Sequence, residues 1–260
     1  MYLRLRQICL VARDLEPMGR ILTDVFGLEI GIRDPNVEKH GLHNVVMPVG
    51  TTFLEVVSPF RDGTTAGRYL DRLGGDGGYM VILDCDDVSA WRDHCKSIGI
   101  RIAYEANYPD KGYHALHLHP RDVGATLLSI DSDAHGADLN ASWHPGGEHW
   151  QDHVRTRRVS NIVGAELQSD TPEVLAERWG SILRRPVGKD AAGAWRIDLD
   201  NGSLRFVKQS DGHGELLGGI DLKVVDRPAV LAAAAAAGLK LAGDPGHESV
   251  HACGMRFRLV

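Results

Sequence analysis

Four times along this chain a short, β-prone apolar run ends in an acidic or hydroxyl residue, passes into a helical stretch and is followed by further β-like runs. A repeat of that length restricts the fold more than any single motif does. Each copy is one supersecondary unit that cannot cover its own apolar face and has to stack on another. The first copy opens with Gln7-Ile8-Cys9-Leu10-Val11-Ala12-Arg13-Asp14, where Asp14 is placed to cap a helix starting near Leu15. That helix closes at Phe26-Gly27-Leu28, with Gly27 suited to a left-handed C-terminal position. The second copy runs from Tyr79 to Asp84 and on to Asp86-Asp87, carries Trp91 and Cys95 on one helical face and closes at Ile98-Gly99-Ile100. The third opens at Ile162, caps at Ser169 or Asp170 and puts Pro172 in the first helical turn, which tolerates proline. The fourth runs from Ile220 to Asp226, then Pro228 and the stretch Ala232 to Ala237, which reads as helix propensity.

Three β-like runs are expected after each helix. They are clearest at His43 to Val49 and Phe53 to Pro59, at Tyr113 to His119 and Thr126 to Asp131, and at Ala194 to Lys208 around the hairpin signal Asp200-Asn201-Gly202. The expected fold is therefore α+β, built from four βαβββ units. Two units form an N-terminal domain at 1–135 and two a C-terminal domain at 158–260. Between them, 136–157 is rich in His, Asp, Gly and Trp without an apolar period and reads as a linker over the surface. Its histidines, with His135, match no zinc spacing and read as solvated.

A duplicated βαβββ unit with an acidic helix cap and a Phe-Gly-Leu ending resembles the vicinal oxygen chelate, or glyoxalase-like, superfamily over nearly the whole chain. The segments His40-Gly41-Leu42-His43-Asn44 and Phe53-Leu54-Glu55-Val56-Val57 are similar to its domain pattern. His119-Pro120-Arg121-Asp122-Val123-Gly124-Ala125 is similar to the last hairpin of a methylmalonyl-CoA epimerase. The resemblance implies two cupped mixed sheets with helices on the outside. It also implies a divalent metal held by one residue of the first and one of the last strand of each unit. Those positions fall on Gln7, Glu55, Met80 and Ser129, so the usual donor set is incomplete. No cofactor is expected, and a substituted metal site would draw on Glu55, Gln7 and a histidine at 117 or 119. In copies three and four the same positions land near Val163, Arg205, Gly219 and Arg258. Arginine ligates no cation, but a pair of arginines facing one cup could hold an anion. This argues against the iron-dependent extradiol dioxygenases that the length suggests.

Glu55, flanked by apolar residues, is the candidate proton-transfer base, because burial raises a carboxyl group's pKa toward neutrality. The structural alternative is pairing with Arg4 or Arg6. Of His43 and Asn44, alternation lets one face the cup. His43 or His117 is the candidate for polarising a substrate oxygen, while Gln7, Asn44, Met80, Ser129 and His119 are candidate substrate contacts. His119-Pro120 also suits a turn.

The net charge of −6 offers no basic surface for nucleic acid or anionic membranes. Without a leader pattern or a long apolar run, a cytoplasmic location is expected, with Cys9, Cys85, Cys95 and Cys253 as reduced thiols. The expected function is that of a small-molecule isomerase or lyase, with a homodimer compatible. The competing reading is a non-catalytic module that binds or sequesters a small molecule, and a metal-dependent extradiol dioxygenase ranks below both.

Overall fold

The computed structural model describes residues 2–260. Copy one comprises β1 (Leu3–Val11), α1 (Leu15–Phe26), β2 (Leu42–Val49) and β3 (Thr52–Pro59), followed by α2 (Thr65–Leu73). Copy two comprises β4 (Gly77–Cys85), α3 (Val88–Ser97), β5 (Ile102–Tyr108), β6 (Tyr113–Leu118), the single turn α4 (Pro120–Val123) and β7 (Leu127–Asp133). Copy three comprises β8 (Val159–Ser169), α5 (Pro172–Leu183), β9 (Val187–Lys189), β10 (Trp195–Leu199) and β11 (Gly202–Lys208). Copy four comprises β12 (Leu216–Val224), α6 (Arg227–Ala236), β13 (Lys240–Ala242), β14 (Ser249–Ala252) and β15 (Met255–Leu259).

The strands form two mixed sheets, a seven-stranded one in the order β2-β3-β1-β4-β7-β6-β5 and an eight-stranded one in the order β13-β14-β15-β12-β8-β11-β10-β9. In every copy the first strand lies parallel to the last, with the helix as crossover. The α+β architecture expected from the repeat is therefore what forms. Contacts group the chain into two compact units. One takes the start of the chain to Arg6, Tyr79–His144 and Gly164–Gly218; the other takes Gln7–Gly78, Pro145–Val163 and Gly219–Val260. Compactness thus groups copy one with copy four and copy two with copy three.

Local signals explain the helices. α1 buries Leu15, Met18, Leu22, Val25 and Phe26, a 3–4 spacing that gives one apolar stripe. It ends at Gly27, whose φ of 70° lets its N–H reach the Thr23 carbonyl at 2.9 Å. The Arg158 guanidinium donates to the Val25 carbonyl at 3.1 Å, placing a cation at the negative end of the helix. Phe26 packs on Phe257 of copy four with ring centroids 4.7 Å apart. In the other unit, Trp179 of α5 meets Phe206 of β11 edge-on.

Four details depart from expectation. Asp14 occupies the cap position but its side chain makes no cap hydrogen bond, whereas Asp87 accepts from the N–H groups of Ser89 and Ala90. The third helix starts after Thr171 rather than Ser169 or Asp170. In copy one the first of three β runs shrinks to a single bridge, Ile32 to Val46, followed by a 3-10 turn at Pro35–His40. Pro35 brings no N–H to a ladder and the Asp34 carboxylate claims the Asn36 N–H, so the strand cannot propagate. Finally, the linker does not lie loosely over the surface, because Trp143 and Trp150 are 1% and 2% exposed. Trp143 stands edge-on to Tyr113, and Trp150 to Phe53. His144 packs on Tyr113 and His153 bonds Glu29 at 2.7 Å, so neither is merely solvated.

Candidate functional site

Strand register decides which side chains meet. Cys9 pairs with Glu55 across β1 and β3, and Val46 pairs with Glu55 across β2 and β3. Alternation then puts Gln7, Cys9, Asn44, Val46, Phe53 and Glu55 on one face. Gln7 Nε2 donates to Glu55 Oε2 at 2.9 Å and Asn44 Nδ2 donates to Oε1 at 2.7 Å. The Cys9 thiol is a third neutral partner. Arg4 and Arg6 do not pair with Glu55: Arg4 bonds Asp84, and Arg6 donates to the Leu139 carbonyl at 2.9 Å. Removal from water therefore dominates and pushes the Glu55 carboxyl above the usual carboxylate range, with the Asn44, Cys9 and Gln7 hydrogen bonds pulling back and the Asp34 charge adding to the rise. Burial, with Glu55 beside it, also pushes the Cys9 thiol well up, so it stays protonated.

A cleft of about 450 Å³, whose wall includes Leu15, Arg33, Asp34, Glu38, His43 and Asn44, meets this group at Asn44, the residue that donates to Glu55. His43 and Asn44 are adjacent on β2 and point to opposite faces. It is Asn44 that turns to Glu55, while His43 is exposed and stacks on Phe60 with centroids 4.3 Å apart.

The remaining candidates belong to the other compact unit. Met80 is buried on β4 opposite Leu127, and Ser129 lies opposite His117. His117 packs against Tyr104, and His119 caps α4 by accepting from the Arg121 N–H at 3.2 Å, a turn role. Ser129 donates to Asp131, which also accepts from the Tyr113 hydroxyl and the Leu116 N–H. Asp131 is 1% exposed, and burial raises its pKa to about 7; burial likewise raises Asp84 to about 6. This second buried carboxyl escaped the sequence reading, which tested one register position per strand. Asp131, two residues beyond Ser129 and hence on the same face, was within reach of the same count.

Metal coordination, usual in the superfamily resembled, does not suit these donors. Both Glu55 oxygens receive amide N–H groups, Gln7 presents its NH2 group to Glu55, and the Ser129 hydroxyl is committed to Asp131. Among the described residues no cluster of three or more His, Cys, Asp or Glu side chains could hold an ion. The two arginines expected to face one cup are each neutralised. Arg205 meets Glu166 at 3.0 Å and Arg258 meets Asp221 at 2.9 Å, which leaves no vacant anion seat at either.

No family model matches the chain. Ethylmalonyl-CoA/methylmalonyl-CoA epimerase of Cereibacter sphaeroides is 24% identical over 131 residues, which is 49% of this chain and 96% of that protein. Mitochondrial methylmalonyl-CoA epimerase of Mus musculus is 26% identical over 129 residues, 49% of this chain and 72% of that protein. Among solved structures, a triple mutant of 4-hydroxymandelate synthase from Streptomyces coelicolor aligns with a TM-score of 0.72 at 13% identity, covering 98% of this chain and 91% of the other. A hypothetical protein from Staphylococcus aureus aligns with a TM-score of 0.66 at 12% identity, covering 100% and 99%. The two mixed sheets make an α+β fold that the chain shares with these solved structures. Half of the chain is similar in sequence to CoA-ester epimerases, and the structural likeness at such low identity speaks for the fold alone.

Proposed function

We propose that this protein is a small-molecule isomerase or lyase of the vicinal oxygen chelate type in which Glu55 moves a proton to and from a carbon next to a carbonyl. One observation carries the reading: a carboxylate buried among neutral donors only, one of which, Asn44, lines a cleft. A carboxyl group whose pKa is raised by burial is a stronger base than a solvated one. His43 also lines the cleft, but it lies on the face of β2 opposite Glu55 and takes no part in that step. The cleft carries Asp14, Glu16, Asp34 and Glu38 against Arg33, which is tied to Glu16 at 2.7 Å. That charge favours a neutral or cationic substrate over a polyanionic one, unlike the CoA esters named for its relatives.

The test follows deuterium wash-in from D2O at the α-carbon of branched acyl thioesters, offered both as N-acetylcysteamine and as CoA thioesters. Wash-in is expected with the small neutral thioester, and Glu55→Gln is expected to slow it by about 10²–10⁴-fold. Exchange that survives this substitution, or none with any thioester, overturns the proposal. The competing reading, a binding module without turnover, is favoured by the occupancy of both Glu55 oxygens and by Trp150 sealing Phe53 on the same face. Native mass spectrometry showing a stoichiometric small molecule carried unchanged through purification would support it.

A further inference from the structure

Asn44 is tied at both ends. Its Oδ1 accepts from the backbone N–H of Asp34 at 2.8 Å, and its Nδ2 donates to Glu55 Oε1 at 2.7 Å. A side-chain amide normally can be turned either way, but a backbone N–H only donates, so the end facing Asp34 has to be oxygen and the end facing Glu55 has to be NH2. Asp34 lies in the cleft wall, at the start of the 3-10 turn, and Asn44 is 4% exposed. The link from cleft to carboxylate is therefore a two-bond chain with one permitted polarity.

We infer that Asn44 is a positioning residue: anchored by the Asp34 N–H, it holds Glu55 Oε1 as a permanent acceptor, so that Oε2 is the oxygen that receives the substrate's proton. This rests on the proposed role of Glu55 as base. In the step concerned, the substrate Cα–H bond breaks, an O–H bond forms at Oε2, and the freed electron pair moves onto the substrate carbonyl as an enolate. Reprotonation from Oε2 reverses the charge movement and needs no further reactant. Asn44 cannot turn its amide oxygen toward a proton on Oε1, since that turn would set its NH2 group against the Asp34 N–H. A ligand that shifts the Asp34–Pro35 turn is thereby felt at Glu55 without touching it.

Two measurements test this, one of them independent of activity. In NMR spectra the two side-chain amide protons of Asn44 are expected to be widely separated, one being held by a carboxylate. Asp34→Ala, which keeps the backbone N–H, is expected to preserve the separation. Asp34→Pro, which removes the N–H at a φ of −84° that proline tolerates, is expected to collapse it. Asn44→Asp keeps the acceptor for Asp34 but presents a second carboxyl to Oε1, and is expected to lower kcat for deuterium wash-in by at least about 10²-fold with KM within about twofold. Should Asn44→Asp not fold, Asn44→Ser, which cannot span both partners, replaces it with the same expectation. An Asn44 amide pair unmoved by Asp34→Pro, or wild-type kcat in the Asn44 variants, overturns the inference. Absence of wash-in from the wild-type protein instead defeats the proposed reaction, while the NMR arm still decides the positioning role.

Discussion

The four copies place different chemistry at one structural position, and the two halves of the chain diverge there. Five residues before each helix cap, and in register on the parallel last strand, stand Cys9 with Glu55, Ile82 with Ser129, Glu166 with Arg205, and Asp221 with Arg258. In the C-terminal half each carboxylate is answered by an arginine across the strand pair. In the N-terminal half Glu55 has only neutral partners. A compensated pair trades its reactivity for a fixed geometry, whereas an uncompensated buried carboxyl keeps a raised pKa and a proton it can give up. The divergence shows where to look for chemistry in a repeat protein: at the copy that leaves its charge unpaired.

The comparison breaks most readily at Arg205. Removing it with Arg205→Met takes this arginine from the largely covered Glu166 carboxylate and is expected to destabilise the fold by about 3 kcal/mol in urea titrations, with most of that recovered when Glu166→Met is added. A single-variant loss below about 1 kcal/mol would mean that the pair is screened and the halves do not differ in this way.

Next in size is Asp131. Its pKa in the folded protein is raised to about 7, so the ionised form is penalised by folding. The penalty is full above pH 7 and fades as pH falls through 7 toward the unfolded carboxyl range near 4. Asp131→Asn, whose amide can still meet Ser129, Leu116 and a rotated Tyr113 hydroxyl, is therefore expected to stabilise the protein at pH 8 by on the order of a few kcal/mol and to approach no effect near pH 4. Thermal unfolding across that range checks the sign; a difference that grows on acidification would refute it.

The smallest effect contrasts the first two helix caps. Asp87→Ala removes a side-chain cap and is expected to cost about 1 kcal/mol, while Asp14→Ala, which removes none, is expected to cost nearly nothing. Denaturant midpoints of the two variants, measured side by side, decide it.

Much of this was legible in sequence because it depends on near neighbours. Gly27 in a left-handed conformation, Pro172 in the first turn of α5 and the two-residue alternation that puts Gln7 and Cys9 on one side of β1 all follow from short-range geometry. Alternation also stated that His43 and Asn44 could not share a face, but not which of them would turn to Glu55. That choice came from the pairing of β2 with β3, a register between segments. Cys9, on the favoured face, carried no warning that its thiol would lie against a carboxylate, and Asp131 looked like any strand-end acid.

The amino-acid order alone determined the repeat, most of the helix limits and which residues of a strand share a side, since those depend on backbone sterics and on periods of two and 3.6 residues. Tertiary structure decided whether each buried charge would be cancelled: Arg4 turned to Asp84, Arg205 to Glu166 and Arg258 to Asp221, while Glu55 received two amides and a thiol. It also tucked Trp143 and Trp150 inward from a segment with no apolar period. The reason is that a charge or an indole ring gains its energy from whatever packs against it in three dimensions, and those neighbours come from distant parts of the chain.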